Sequence, residues 1–147
     1  MTDRWFLDTN VLLYAISQNP ADVEKGRIAR SLVFQTSCAL SVQVFQEFLN
    51  QATHPKGGFG LSLDAAEKVL AGYRRFPVQE TTLALFDTAL AVTSRTGYSI
   101  WDSLIVAAAQ ALGCNILYSE DMQDGRIIDG LRILNPFREG ASLPWVS

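Results

Sequence analysis

Short apolar runs recur along this chain, and each hands over to a stretch with helical spacing. Trp5-Phe6-Leu7, Cys38-Ala39-Leu40, Ile116-Leu117-Tyr118 and Arg132-Ile133-Leu134 are too brief for helices and read as buried strands. Between them lie helical stretches at residues 10–17, 20–34, 41–53, 62–73, 82–97 and 101–112. Ser41 and Thr81 or Thr82 are suitable N-caps, and Gly97 and Gly113 suit the C-terminal ends. Phe76-Pro77-Val78 is a further candidate strand. Residues 54–60, His-Pro-Lys-Gly-Gly-Phe-Gly, cannot be regular structure and read as a flexible loop. Strands alternating with helices predict an α/β fold with a parallel sheet covered on both faces.

With 147 residues the chain suits one domain, 1–147, whose residues 136–147 read as a surface tail. Apolar residues at 48% and charged residues at 18% exclude a disordered chain. The longest unbroken apolar run, 104–109, is far too short to span a bilayer, so no membrane role is expected. The first residues lack the layout of a secretory signal. Cys38 and Cys114 read as buried free thiols of a cytoplasmic protein. A single histidine excludes histidine-rich metal sites.

Four acids are scattered along the chain, most of them where an apolar run gives way to a helix or turn. Asp8 closes the first run, Asp102 follows Ile100-Trp101, and Asp121 follows 116–118, while Glu47 lies inside a helical stretch. Each has an ordinary structural explanation. Asp8 can cap the next helix, and Asp102 stands three residues after Ser99 in a near capping box. Glu47 falls on a polar stripe with Gln43 and Asn50, and Asp121 and Asp124 suit a turn. Trp101 beside them reads as a core residue. Together the acids say more, because ligands collect outside the carboxyl ends of strands in such sheets. Two like charges about 4 Å apart repel by roughly 4 kcal/mol at an effective dielectric near 20. Converging carboxylates therefore call for a hard divalent cation, Mg²⁺ or Mn²⁺, and for chemistry on phosphate.

The net charge of −3 does not advertise a nucleic-acid binder. Setting aside Asp8, Glu47, Asp102, Asp121 and Asp124 leaves ten of the 15 acids against 12 bases. Nine of those bases are arginine, suited to bidentate phosphate contact. The balance permits an RNA ligand, and equally a basic partner covering an acidic site.

At these residues the chain resembles PIN-domain ribonucleases, and most of all the VapC-type toxins of type II toxin–antitoxin pairs. Four segments in register carry the resemblance: Phe6-Leu7-Asp8-Thr9-Asn10-Val11-Leu12, Ser41-Val42-Gln43-Val44-Phe45-Gln46-Glu47, Tyr98-Ser99-Ile100-Trp101-Asp102-Ser103, and the run 117–125 around Ser119-Glu120-Asp121. It spans nearly the whole domain, from the first strand to about Pro136. The resemblance implies a three-layer α/β/α sandwich with a central, mostly parallel sheet. It implies one or two Mg²⁺ or Mn²⁺ ions held by Asp8, Glu47, Asp102 and Asp121, with Asp8 and Asp102 the most direct ligands. Glu47 and Asp121 would complete the site or position water, and Asp124 is a candidate fifth acid. Thr9 and Asn10 match a motif whose polar side chains steady the first carboxylate, and Ser119 offers a supporting hydroxyl. Of the adjacent Glu120 and Asp121, the Ser119-x-Asp121 pattern favours Asp121. Proteins of this type hydrolyse RNA, with tRNA or rRNA as targets, usually as homodimers silenced by a cognate antitoxin.

Rival readings fit less well. A haloacid-dehalogenase-like phosphatase needs a second aspartate at position 10, where this chain has Asn10. A receiver-like signalling module needs a lysine after a late strand, but the lysines are Lys25, Lys56 and Lys68. A PIN nuclease that is not a toxin, or a catalytically idle metal-binding relative, stays compatible with the motifs.

Overall fold

Apolar residues with β-branched and aromatic neighbours form the strands of a computed structural model that describes residues 3–56 and 59–145. In chain order the elements are β1 (Trp5–Leu7), α1 (Thr9–Ile16), α2 (Val23–Val33, entered through a 3₁₀ turn at Pro20–Asp22), β2 (Cys38–Ser41), α3 (Val42–Ala52) and α4 (Leu63–Tyr73). The second half adds β3 (Val78–Gln79), α5 (Leu83–Thr96), α6 (Ile100–Ala111), β4 (Ile116–Tyr118), β5 (Ile127–Ile128) and β6 (Leu131–Leu134). The expected loop at 54–60 is irregular where described, and its Gly57 and Gly58 lie outside the described residues.

One mixed, mostly parallel sheet runs β3-β2-β1-β4-β6-β5. Phe6 sits opposite Ala39 on one side and Leu117 on the other, so β1 is central and paired along both edges. Right-handed crossovers put α1 to α4 on one face and α5 and α6 on the other. The packing agrees: α1 lies against α2 and α3, while α5 lies against α6, which in turn covers β2, β3, β4 and β6. Only β5 is antiparallel, joined to β6 by Asp129 and Gly130 at φ 46° and 86°. Those two positive φ values describe a tight hairpin turn, for which Asp-Gly is a favoured pair. The short strand β5 was not anticipated from the sequence.

Phe6, Leu40, Leu117 and Ile133 are fully buried along adjacent strands and form the middle of the core. Leu117→Ala should cost about 2–5 kcal/mol of stability, measured by urea denaturation, because the central strand cannot collapse into the space left. A cost under about 1 kcal/mol would mean that β4 is not a core strand.

Two sequence expectations need correction. The wide apolar stripe expected on α5 is only half covered: Leu85, Ala89 and Val92 are buried, whereas Leu83, Phe86 and Leu90 face outward. Trp101, expected in the core, is 65% exposed, because burial along α6 begins only at Ser103. Where the tail begins, Pro136 is buried and the Phe137 ring meets Tyr14 edge-on at 4.9 Å, and most residues from Arg138 to Trp145 are exposed. Both cysteines are buried and free, with burial pushing each thiol up to about 12. Among the described residues no helix is long and apolar enough to cross a membrane.

Candidate active site

β1 ends at Leu7, and the next residue must both leave the sheet and start a helix. Asp8 does this with an extended backbone: its N–H donates to the Tyr118 carbonyl at 3.0 Å, and its Oδ1 accepts from the Thr9 N–H at 2.8 Å. Its Oδ2 accepts from Ser119 Oγ at 2.8 Å. Ser119 directly follows β4, so this bond ties the carboxyl ends of two neighbouring parallel strands. The strand order also reverses at β1, where α/β sheets open a crevice beyond the strand ends.

The other acids reach the same crevice from separate elements. Ser41 caps α3 by accepting from the Val44 N–H, and one turn further α3 presents Gln43 and Glu47. Thr9 Oγ1 donates to Glu47 Oε2 at 2.7 Å, and Gln43 Nε2 donates to Glu47 Oε1 at 3.0 Å. The same Gln43 amide donates to the Trp101 carbonyl at 3.1 Å, joining α3 to the first turn of α6. There Ser99 caps α6 by accepting from the Asp102 N–H, which leaves the Asp102 carboxylate unbound by the cap. Asp121 lies two residues past Ser119, whose Oγ accepts from its N–H at 3.3 Å, and Asn10 Nδ2 donates to its Oδ2 at 3.2 Å.

Asp8, Glu47, Asp102 and Asp121 thus line one cavity of about 130 Å³ together with Thr9 and Asn10. No lysine, arginine or histidine lines it, and among the described residues none of the four acids joins an ion pair. Two larger hollows, about 630 Å³ beneath the C-terminal tail and about 540 Å³ between α3 and α4, gather no comparable set of carboxylates.

The electrostatics follow from that composition. Asp8 is 8% exposed, and its carboxyl is pushed up to about 6, chiefly by burial. Its bonds from Ser119 and Thr9 pull the other way, while Glu47 and Asp121 repel its charge. Asp102 is also raised, first by burial and then by Asp121 and Glu47. The donor set is therefore oxygen-only, net negative and without a countercharge, which suits a hard divalent cation. Among the described residues no group of three or more Asp, Glu, His or Cys side chains stands close enough to hold a metal ion together. A cation that keeps several waters and takes one or two carboxylates does not require one.

The remaining sequence assignments divide. Ser119 supports Asp8 as expected. Thr9 and Asn10 bind their acids, but their side chains steady Glu47 and Asp121, and only the Thr9 backbone N–H reaches Asp8. Glu120 turns away, accepting from Tyr14 Oη and Lys25 Nζ at 2.6 Å each, so Asp121 faces the cavity. Asp124 lies apart from the other acids: it accepts from the Asn135 N–H at 2.7 Å and pairs with Arg138 at 2.8 Å. Gln43 and Gln51, both lining the cavity, were not singled out as site residues. Their four-residue spacing on either side of Glu47 was the available signal.

A family model described as PIN domain matches residues 5–124. No curated protein matches the chain. Solved structures with the same fold include VapC20 of Mycobacterium tuberculosis, described as a sarcin-ricin-loop-cleaving toxin. It is 19% identical at a TM-score of 0.61, covering 80% of this chain and 89% of that one. A toxin–antitoxin complex from Klebsiella pneumoniae gives 17% identity and a TM-score of 0.66 over 90% and 97% of the two chains. DNA-bound VapBC from Salmonella typhimurium gives 22% and 0.60, again over 90% and 97%.

Proposed function

This chain belongs to the PIN-domain family, and on that footing we propose that it is a Mg²⁺- or Mn²⁺-dependent endoribonuclease acting as the cytoplasmic toxin of a toxin–antitoxin pair. The observation that carries the reading is the meeting of Asp8, Glu47, Asp102 and Asp121, from separate elements, in one cavity that no basic side chain lines. The solved relatives supply the toxin context: one is a toxin and the others are toxin–antitoxin or VapBC complexes.

Asp8 and Asp102 would hold the ion, and Glu47 and Asp121 would complete its surroundings or orient the attacking water. Such an ion would supply charge stabilisation at the phosphoryl oxygens and a lowered pKa for water near it. Ser119 and the Thr9 N–H fix both oxygens of Asp8, so that carboxylate is set before any ion arrives. Thr9 and Gln43 do the same for Glu47, and Asn10 for Asp121. In-line attack on phosphorus leaves a 5′-phosphate and a 3′-hydroxyl. The substrate is an unpaired loop of tRNA or rRNA, the enzyme works as a homodimer, and a cognate antitoxin covers the acidic cavity.

Sequencing of RNA 5′ ends after brief expression tests this reading. New ends should appear with the intact chain and vanish with Asp8→Asn. Identical end profiles for the two would dismiss the nuclease, and growth unaffected by the chain alone would dismiss the toxin role. Gln43→Leu removes both bonds that fix Glu47 and the Trp101 peptide. It should raise the Mg²⁺ concentration for half-maximal cleavage by about tenfold to a hundredfold, as loss of a residue supporting a metal ligand does. An unchanged Mg²⁺ dependence would show that Glu47 needs no such support.

A further inference from the structure

The cavity bounded by the four acids holds about 130 Å³, well below the roughly 300–1,000 Å³ of sites that enclose a whole organic ligand. It has room for an ion, its waters and one phosphate, so the bases flanking a scissile bond must rest outside it, on the rim. Trp101 is 65% exposed and immediately precedes Asp102. On α6, Asp102 and Ile105 line the cavity, and Trp101 stands one turn before Ile105, at the spacing that puts two side chains on one helix edge. Its peptide is not free to drift: the carbonyl accepts from Gln43 Nε2, the same amide that fixes Glu47. An indole left in water at this cost in apolar exposure, on a peptide tied to a catalytic side chain, is placed to meet a flat ligand.

Resting on the nuclease reading above, we propose that the Trp101 indole is a stacking platform for one unpaired base of the RNA, beside the scissile phosphate at the mouth of the cavity that Asp8 and Asp102 line. Stacking uses the face of the base, so the contact tolerates any base but requires one freed from a duplex. It thereby selects unpaired loops and ends over paired RNA, whose bases are already stacked.

The test measures binding apart from cutting. Fluorescence anisotropy follows a labelled single-stranded RNA of about twelve nucleotides, within the usual span of single-strand sites, binding to the Asp8→Asn chain, which keeps the Trp101 rim but does not cut. The same titration is run with Trp101→Ala and Trp101→Tyr added to that background, and with an abasic ribose-phosphate oligomer of equal length. Wild-type cleavage of the labelled RNA and sedimentation of each variant are recorded in parallel. Trp101→Ala should weaken RNA binding by about tenfold to a hundredfold, Trp101→Tyr should restore most of it, and the abasic oligomer should bind all three alike. Equal binding by the alanine and parent chains, or an equal penalty on the abasic oligomer, overturns the stacking contact. A Trp101→Ala chain that changes mass while keeping the parent affinity assigns this face to a second copy and overturns it too. If the wild-type chain cuts RNA in any of those cases, only the stacking contact falls. If it neither binds nor cuts RNA, the nuclease reading falls with it.

Discussion

Asp8→Asn should lose at least about a thousandfold of the RNA-cleaving rate while folding as well as the wild type or better. The two halves of this expectation come from the same burial. Asp8 is 8% exposed, repelled by Glu47 and Asp121, and pushed up to about 6, so its charge is a burden on the folded chain when no cation is present. Asparagine keeps the shape, and it caps helices as well as aspartate does, so the bond from the Thr9 N–H survives. Its Nδ2 then takes the place of Oδ2 and can donate to Ser119 Oγ, which reverses that bond without removing it. At neutral pH without metal, removing the charge should raise stability by up to about 3 kcal/mol, the free energy matching the shift of this carboxyl. A residue kept for architecture behaves in the opposite way, losing stability when neutralised. The pair of measurements is a cleavage time course and a urea denaturation of the same preparation. Full activity, or a variant less stable than the wild type at pH 7, would remove Asp8 from the role given to it.

How much of this was legible in the sequence differs from residue to residue. Asp8 and Asp121 stand where apolar runs stop, and the change in polarity marks a strand end directly. Asp102 was readable as the third residue after a capping serine, but the capping bond uses its N–H, and nothing in that pattern tells where the carboxylate points. Glu47 was the least marked of the four acids, because a glutamate on a helical polar stripe is ordinarily solvated. What periodicity could not supply is the identity of the neighbour across each face. The α5 stripe has the width of a buried surface, yet Leu83, Phe86 and Leu90 lack a covering element within the described chain. The Ser119-x-Asp121 pattern favours Asp121 over Glu120, but what turns Glu120 away, Lys25 and Tyr14 at 95 and 106 residues' distance, is in no local pattern. Asp124 was drawn off by the Asn135 N–H and Arg138 in the same manner. The hairpin strand β5 was the avoidable omission, since Asp129-Gly130 between apolar residues is a direct signal for it.

Chelation should abolish cleavage and also change how the stability of the chain depends on pH. In the folded state Asp8 is raised to about 6 from its ordinary 3.8, so between those values the folded chain holds a proton that the unfolded chain has released. Stability is therefore greatest below the unfolded value and is lost as pH rises through about 6, and Asp102 shifts in the same direction. The metal-free protein should accordingly be more stable at pH 5 than at pH 7.5. A divalent cation reverses the preference, because it binds the charged carboxylates of the folded chain and has no such cluster in the unfolded one. At a hundred times its dissociation constant it adds about 2.7 kcal/mol, or roughly 8 °C in Tm for a chain of this size. The gain should grow as pH rises from 5 to 7.5, since metal and proton compete for the same oxygens. Asp8→Asn should keep only the part of the fall with pH that comes from Asp102 and should lack most of the gain with Mg²⁺. Thermal melts at the two pH values, with EDTA and with Mg²⁺, provide the whole comparison. A metal-free chain whose stability rises across this interval, or a Tm that ignores Mg²⁺ at pH 7.5, would mean that the buried acids are held by something other than a cation.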